Sequence, residues 1–174
     1  KHQLISMDEQ AGRMLNLVDD LLTLSRLEDE AQAPQEEEFD VRDLIYDVSA
    51  EGRRLSAGRH SITCEVMPAF LKGSREELRS AFSNMVSNAV RYTPDGGRIL
   101  LHWAMREGKG VFSVEDSGIG ISEEHIPRLT ERFYRVDRGR SRESGGTGLG
   151  LAIIKHILLR HQASLEIASI PGVG

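Results

Sequence analysis

Three asparagine- and glycine-bearing segments in a fixed order constrain the fold of this chain more than anything else in it. NMVSNAVRYTP spans 84–94, DSGIG spans 116–120 and GGTGLGL spans 145–151. The first lies in a helix-period stretch, the second follows an alternating one, and the third opens another helix. Glycines also mark ordinary turns, so any one of these alone is a weak signal. The ordered set of helix, strand end and glycine-opened helix is much rarer.

The pattern around these segments predicts the elements. Residues 1–30 form a long amphipathic helix, with Met7, Ala11, Met14, Val18, Leu21 and Ser25 recurring at alternating spacings of four and three. Leu15, Leu17, Leu22, Leu24 and Leu27 broaden its apolar surface beyond what a lone solvated helix tolerates. Packing on its own domain is one reading of that surface; part of a dimeric bundle is the favoured one. Residues 31–38 are acidic, carry Pro34 and read as a linker. Asp40 is a plausible N-cap for a helix to about residue 57, burying Leu44, Ile45, Val48 and Leu55. Strands are expected over 61–66 and 70–73. Ser74 followed by Glu77 is a capping-box pattern opening the next helix, which runs to about Tyr92. Two strands over 98–105 and 110–115 join through a turn near 107–110, a helix covers 148–161, and a strand covers 164–169. Mostly short, hairpin-like connections favour a two-layer α/β (α+β) sandwich, a mixed sheet packed on helices, over a doubly wound parallel sheet.

The chain's 174 residues suit one domain plus an appendage, and the net charge of −5 argues against generic nucleic-acid binding. Cys64, the single cysteine, cannot form an internal disulfide. No apolar run is long enough to cross a bilayer and no signal peptide is recognisable. A start without methionine and a stop just after a turn signal suggest a fragment.

The polar residues of the three segments suit a phosphate-bearing ligand. Asn84, Asn88, Arg91 and Tyr92 gather on one side of their helix, away from the stripe of Leu78, Phe82, Met85, Val86, Ala89 and Val90. Two asparagines one turn apart offer neutral oxygens to Mg²⁺ or its waters without adding negative charge. Asp116, at a strand end, can accept from the amino group of adenine, with Gly118 and Gly120 allowing close backbone approach. Gly146, Thr147, Gly148, Leu149 and Gly150 precede or open a helix whose N–H groups and dipole suit a phosphate chain. No Gly-Lys-Ser/Thr follows, so this is not a Walker loop. The competing bland readings are a polar helix face, an Asx turn and a flexible hinge. Between the glycine segments, Arg128, Arg132, Arg135, Arg138, Arg140 and Arg142 read as a lid, anchored by Phe133 and Tyr134, with one or two arginines for a terminal phosphate.

These residues resemble the catalytic, ATP-binding domain of bacterial sensor histidine kinases, within the gyrase, chaperone, histidine kinase and mismatch-repair superfamily with its Bergerat-type fold. The likeness covers nearly all of 39–174: NMVSNAVRYTP is similar to the N box, DSGIG to the first glycine box, ERFYRVD to the F box and GGTGLGLAIIKH to the second glycine box. PGVG is similar to the start of the third. The F box departs from the pattern at Thr130, where phenylalanine is frequent. The resemblance implies Asn88 as Mg²⁺ ligand, Asn84 supporting metal or phosphates, Arg91 on phosphate, Tyr92 against the nucleotide, Asp116 on adenine and Arg135 at the terminal phosphate. It implies ATP and Mg²⁺ as cofactors. The helix over 1–30 resembles the second helix of the dimerisation and phosphoacceptor domain, so that domain, a response regulator and a second copy of the chain are the implied partners, in the cytoplasmic part of an inner-membrane sensor.

Water-activating ATPases of the superfamily carry a glutamate where this chain has Asn84, which cannot serve as a general base. Transfer to an external nucleophile is therefore expected rather than hydrolysis, with Asn84 and Arg135 as the catalytic candidates. None of His2, His60, His102, His125, His156 and His161 lies in a phosphoacceptor context, so the acceptor is expected on another segment. A non-catalytic nucleotide switch and a superfamily ATPase are the alternatives. The final strand beyond the third glycine box is expected to be missing, leaving a weakened sheet edge beside 164–169.

Overall fold

The computed structural model describes residues 2–29, 33–136 and 146–174, with side chains from residue 10 onward except Arg13. Chain order is α1 (His2–Glu28), β1 (Glu37–Asp40), α2 (Val41–Ser56), β2 (Ser61–Val66), β3 (Phe70–Gly73), α3 (Arg75–Tyr92), β4 (Arg98–Arg106), β5 (Lys109–Asp116), a 3₁₀ helix (Glu123–Arg128) and α4 (Gly150–Arg160). None of the helices described is long and apolar enough to cross a membrane.

The expected mixed sandwich forms. In the sheet β2–β4–β5, β2 runs parallel to β4 and β4 antiparallel to β5. Glu107 and Gly108, both at positive φ, close the β4–β5 hairpin, as a right-twisted two-residue turn requires. Ile99 and Leu101 point from the sheet into the core, where Val48 of α2, Val86 of α3 and Ile153, Ile154 and Ile157 of α4 are also buried. Phe82 stacks on Phe112 with centroids 4.0 Å apart, fixing α3 to β5.

Helix α1 has two apolar faces with different fates. Leu24 and Leu27 are buried in the core, whereas Met14, Val18 and Leu21 of the seam are 68%, 51% and 43% exposed. Met7 lies outside the described side chains.

Several expectations need correction. The linker over 31–38 ends in a strand, because buried Phe39 draws β1 onto β3 with Phe39 opposite Leu71. Asp40 caps α2 as expected, accepting from the Arg42 N–H at 2.9 Å. Leu55, assigned to the buried face of α2, is half exposed in the last turn, past the close Gly52–Val86 helix contact. The helix expected from residue 148 begins at Gly150, since Gly148 holds φ +76°.

Residues 164–169 are not a strand. Leu165, Ile167 and Ser169 alternate in half-burial, but a cavity of about 740 Å³ separates this segment from β5, so no ladder forms. Its 169–174 end is held by Ser169 Oγ, which accepts from the Ile121 N–H and donates to the Gly174 carbonyl.

Candidate nucleotide site

The capping pattern at the start of α3 is half local. Ser74 Oγ accepts from the Glu77 N–H at 3.3 Å, but the Ser74 N–H donates to His161 Nε2 at 3.0 Å, at the end of α4. The proton of that imidazole therefore sits on Nδ1, donated to the Ile157 carbonyl. Glu77 instead pairs with Arg160 at 3.0 Å. These contacts lock α3 beside α4, and the polar face of one then meets the glycine-rich start of the other.

Two cavities meet along α3. The first, of about 360 Å³, is polar and takes Asn84, Asn88, Arg91 and Tyr92 from α3, Arg135, and Gly146, Thr147, Gly148 and Gly150. The Asn84 amide donates to the Ser80 carbonyl at 2.9 Å, turning its Oδ1 toward Gly150, where a Cβ would come within 2.7 Å of it. Asn88 Oδ1 faces Arg91 Nη1 at 3.5 Å, a contact at the limit of a hydrogen bond. Arg91 in turn lies against Gly146, 3.2 Å from where a Cβ would stand. No side chain caps α4; Thr147 Oγ1 accepts from the Leu149 N–H just before the helix. An uncapped N-terminus of this kind attracts anions.

The second cavity is the 740 Å³ space beside β5, walled by Met85, Val114, Ile121, Leu151 and Ile167, with Asp116 in the wall. Asp116 Oδ1 accepts from the Gly118 N–H at 2.9 Å, which tightens the turn. Gly120 adopts φ +67°, and a Cβ there would lie 2.2 Å from the Ile170 carbonyl oxygen, so only glycine fits. Asn88, Arg91, Tyr92, Leu129 and Leu151 line both cavities.

The sequence-derived residues thus fall into one connected site with two exceptions. Leu149 is fully buried and belongs to the core. Gly118 lines neither cavity and shapes the turn, with Tyr92 O 2.8 Å from where its Cβ would be. Gly145, Arg138, Arg140 and Arg142 lie outside the described residues. The anchoring expected of the Phe133 ring is not made, since that ring is 57% exposed. Leu129 is buried instead, the Phe133 N–H donates to the Gly148 carbonyl at 2.9 Å, and Tyr134 Oη meets His125 Nδ1 at 2.7 Å under the Arg128 guanidinium.

Sequence reasoning missed the part played by α1. Asn16, Asp19 and Asp20 line the polar cleft, as does Glu51 of α2. Asp20 stands in line with Leu17, Leu24 and Leu27 at spacings of three and four, and that docking stripe was the available signal. Burial raises the Asp20 pKa from its ordinary value, and the repulsion of Asp19 adds to this; the Thr147 hydrogen bond and the Arg91 charge oppose it.

Residues 73–174 match the family model described as "Histidine kinase-, DNA gyrase B-, and HSP90-like ATPase". The chain is 53% identical to the phosphate regulon sensor protein PhoR of Pseudomonas aeruginosa over 97% of its own length and 38% of that protein's. It is 37% identical to the sensor histidine kinase RppB of a Synechocystis species, over 97% of this chain and 38% of that one. It therefore spans about two-fifths of the length of these curated relatives. Among solved structures, full-length ShkA in complex with AMPPNP aligns with a TM-score of 0.75 at 26% identity, covering 92% of this chain and 34% of that one. The mycobacterial sensor histidine kinase MprB aligns at 0.65 and 28%, covering 73% and 80%.

Proposed function

We propose, from the premise that this chain belongs to the histidine kinase-, DNA gyrase B- and HSP90-like ATPase family, that it is the ATP-binding, phosphoryl-donating part of a sensor histidine kinase. One observation carries the reading: an apolar chamber with the Asp116 carboxylate at the strand end in its wall opens, at Asn88, Arg91 and Tyr92, into a polar cleft backed by glycine backbone and arginine. The chamber suits adenine, whose amino group Asp116 would accept. The cleft suits a phosphate chain laid on the start of α4, with Arg91 and Arg135 as counter-charges. Mg²⁺ fits the donor set, because the weakly engaged Asn88 Oδ1 is a hard, neutral oxygen. When bound, the ion neutralises phosphate charge; Asn88 would hold it, and Asn84 would pack the start of α4 beside it.

The residue at 84 lacks a carboxylate to deprotonate water, which supports transfer to a nucleophile supplied by another segment; the likeness to sensor histidine kinases makes that nucleophile an imidazole. Its nitrogen bonds to the terminal phosphorus as the bond to the bridging oxygen breaks, and ADP leaves. Residues 1–30 fit the second helix of the dimerisation domain, residues 31–38 the connection and 39–174 the catalytic unit. The exposed Met14–Val18–Leu21 seam supports assembly with a second copy. In the longer parent, taken as an inner-membrane sensor with this part in the cytoplasm, the phosphoryl group passes to a response-regulator aspartate. The likeness to the phosphate regulon sensor supports phosphate limitation as the stimulus.

Incubating the protein with labelled ATP, Mg²⁺ and a separately supplied acceptor helix tests this. Slow labelling of the acceptor histidine in trans is expected. ATP binding with no transfer would favour a nucleotide switch, and steady phosphate release by the chain alone an ATPase.

A further inference from the structure

Helix α1 carries a carboxylate into the phosphate half of the site. Asp20 Oδ2 accepts from Thr147 Oγ1 at 2.5 Å, while the same hydroxyl accepts from the Leu149 N–H at 3.3 Å. A hydroxyl has one proton, so Thr147 has none left for a second acceptor. Asn16 and Asp19 flank Asp20 in the cleft, and Arg91 is the cation whose charge it feels. The helix is held in this position at its other end. Leu24 and Leu27 are buried, Arg160 donates to the Leu27 carbonyl at 3.4 Å, and Glu28 pairs with Arg132.

We propose that Asp20 is a built-in competitor for the phosphate subsite, its carboxylate occupying on Thr147 the place of a nucleotide phosphate oxygen, so that docking of α1 and binding of ATP oppose one another. The inference rests on the nucleotide reading above and adds its regulation. Two anions cannot share one donor proton and one guanidinium in a half-enclosed cleft without strong repulsion. The raised pKa of Asp20 shows that the ionised carboxylate is already disfavoured there before a phosphate arrives. The described residues lining the base chamber include none from α1, so the competition is confined to ligands that carry phosphate. By linkage the effect runs both ways: phosphate releases the Asp20 turn of α1, and a docked α1 weakens phosphate.

The test compares the protein with its Asp20→Ala variant by calorimetric titration with ATP-Mg²⁺ and, separately, with adenosine. Asp20→Ala is expected to tighten ATP by roughly five- to a hundredfold and to leave adenosine unchanged. Hydrogen exchange on the unsubstituted protein is expected to show loss of protection around residues 16–22 when ATP, but not adenosine, is added. Equal ATP affinity in the two proteins, weaker ATP binding by the variant, or unchanged α1 protection on ATP addition would overturn the proposal. Binding of adenosine and ATP by neither protein would instead remove the nucleotide reading, and the competition with it. ATP bound by the variant alone would support both.

Discussion

Single side chains divide the labour of the site. Asp116 uses one oxygen on the Gly118 N–H and has the other for a ligand in the chamber. Asp116→Asn keeps the turn, since the amide oxygen still accepts from Gly118, but turns a donor toward adenine's amino group. ATP affinity is expected to fall by roughly 5- to 150-fold, corresponding to about 1–3 kcal/mol for a mispaired polar group, with little change in melting temperature. GTP, which offers a carbonyl at that position, should lose less; parallel calorimetric titrations decide this. The polar and glycine residues at the heart of the two cavities were legible in the sequence, because Asn84, Asn88, Arg91, Asp116 and the glycines lie in local patterns with local reasons. Leu149 was misjudged because a residue between two glycines can be either loop or core. Asp20 was missed because its partner Thr147 stands 127 positions away.

At the scale of elements, α3 and α4 hold the site open between them, and His161 is the joint. It accepts from the Ser74 N–H, lies 3.7 Å from Glu77 and fills the space beside Gly73, where a Cβ would be 2.9 Å from its ring. His161→Leu leaves the Ser74 N–H unpaired in a buried position. A loss of about 1–3 kcal/mol is expected in denaturant unfolding, with ATP affinity falling less than stability because the joint lies away from the cavities. The sequence announced the cap at Ser74 but assigned its reciprocal arm to Glu77, the residue that convention places there. Tertiary packing gave that arm to a histidine instead. The same override turned 37–40 into a strand and left 164–169 without a ladder. Alternation reports which faces are apolar, not whether a neighbouring strand comes within hydrogen-bond reach.

For the whole molecule, the question is how α1 stays with the domain below it. Its last turn ends in a cluster where Glu28 meets Arg132 and lies 3.6 Å from His156 Nε2. Burial lowers the His156 pKa below 6.5, and Arg132 and Lys155 add repulsion. Glu28 would favour the charged imidazole, but it is shared with Arg132, whose charge opposes protonation. A His with a depressed folded pKa contributes stability that is fully present above its unfolded pKa and is lost as pH falls. Stability is therefore expected to decline as pH drops through about 6.5, and His156→Gln should flatten that part of the profile; pH-dependent melting of the two proteins checks it. The two-faced character of α1 was legible only as a seam through Met7, Ala11, Met14, Val18, Leu21 and Ser25 beside a second set of apolar residues, Leu15, Leu17, Leu22, Leu24 and Leu27. Which face meets the domain was not, because both patterns are equally apolar.

One feature reaches further than its local role. The base chamber and the phosphate cleft share Asn88, Arg91 and Tyr92 on about one turn of α3. A displacement of that turn must alter contacts in both cavities together, whereas Ser83 and Asn84, one turn earlier on α3, line the polar cleft alone. On the proposed nucleotide reading, preference between a triphosphate and a diphosphate would be set by groups that touch the phosphate side alone, among them Asn84 of α3, Asp20 of α1 and Arg135, so the ratio of ATP to ADP occupancy would depend in part on how α1 is arranged on the domain.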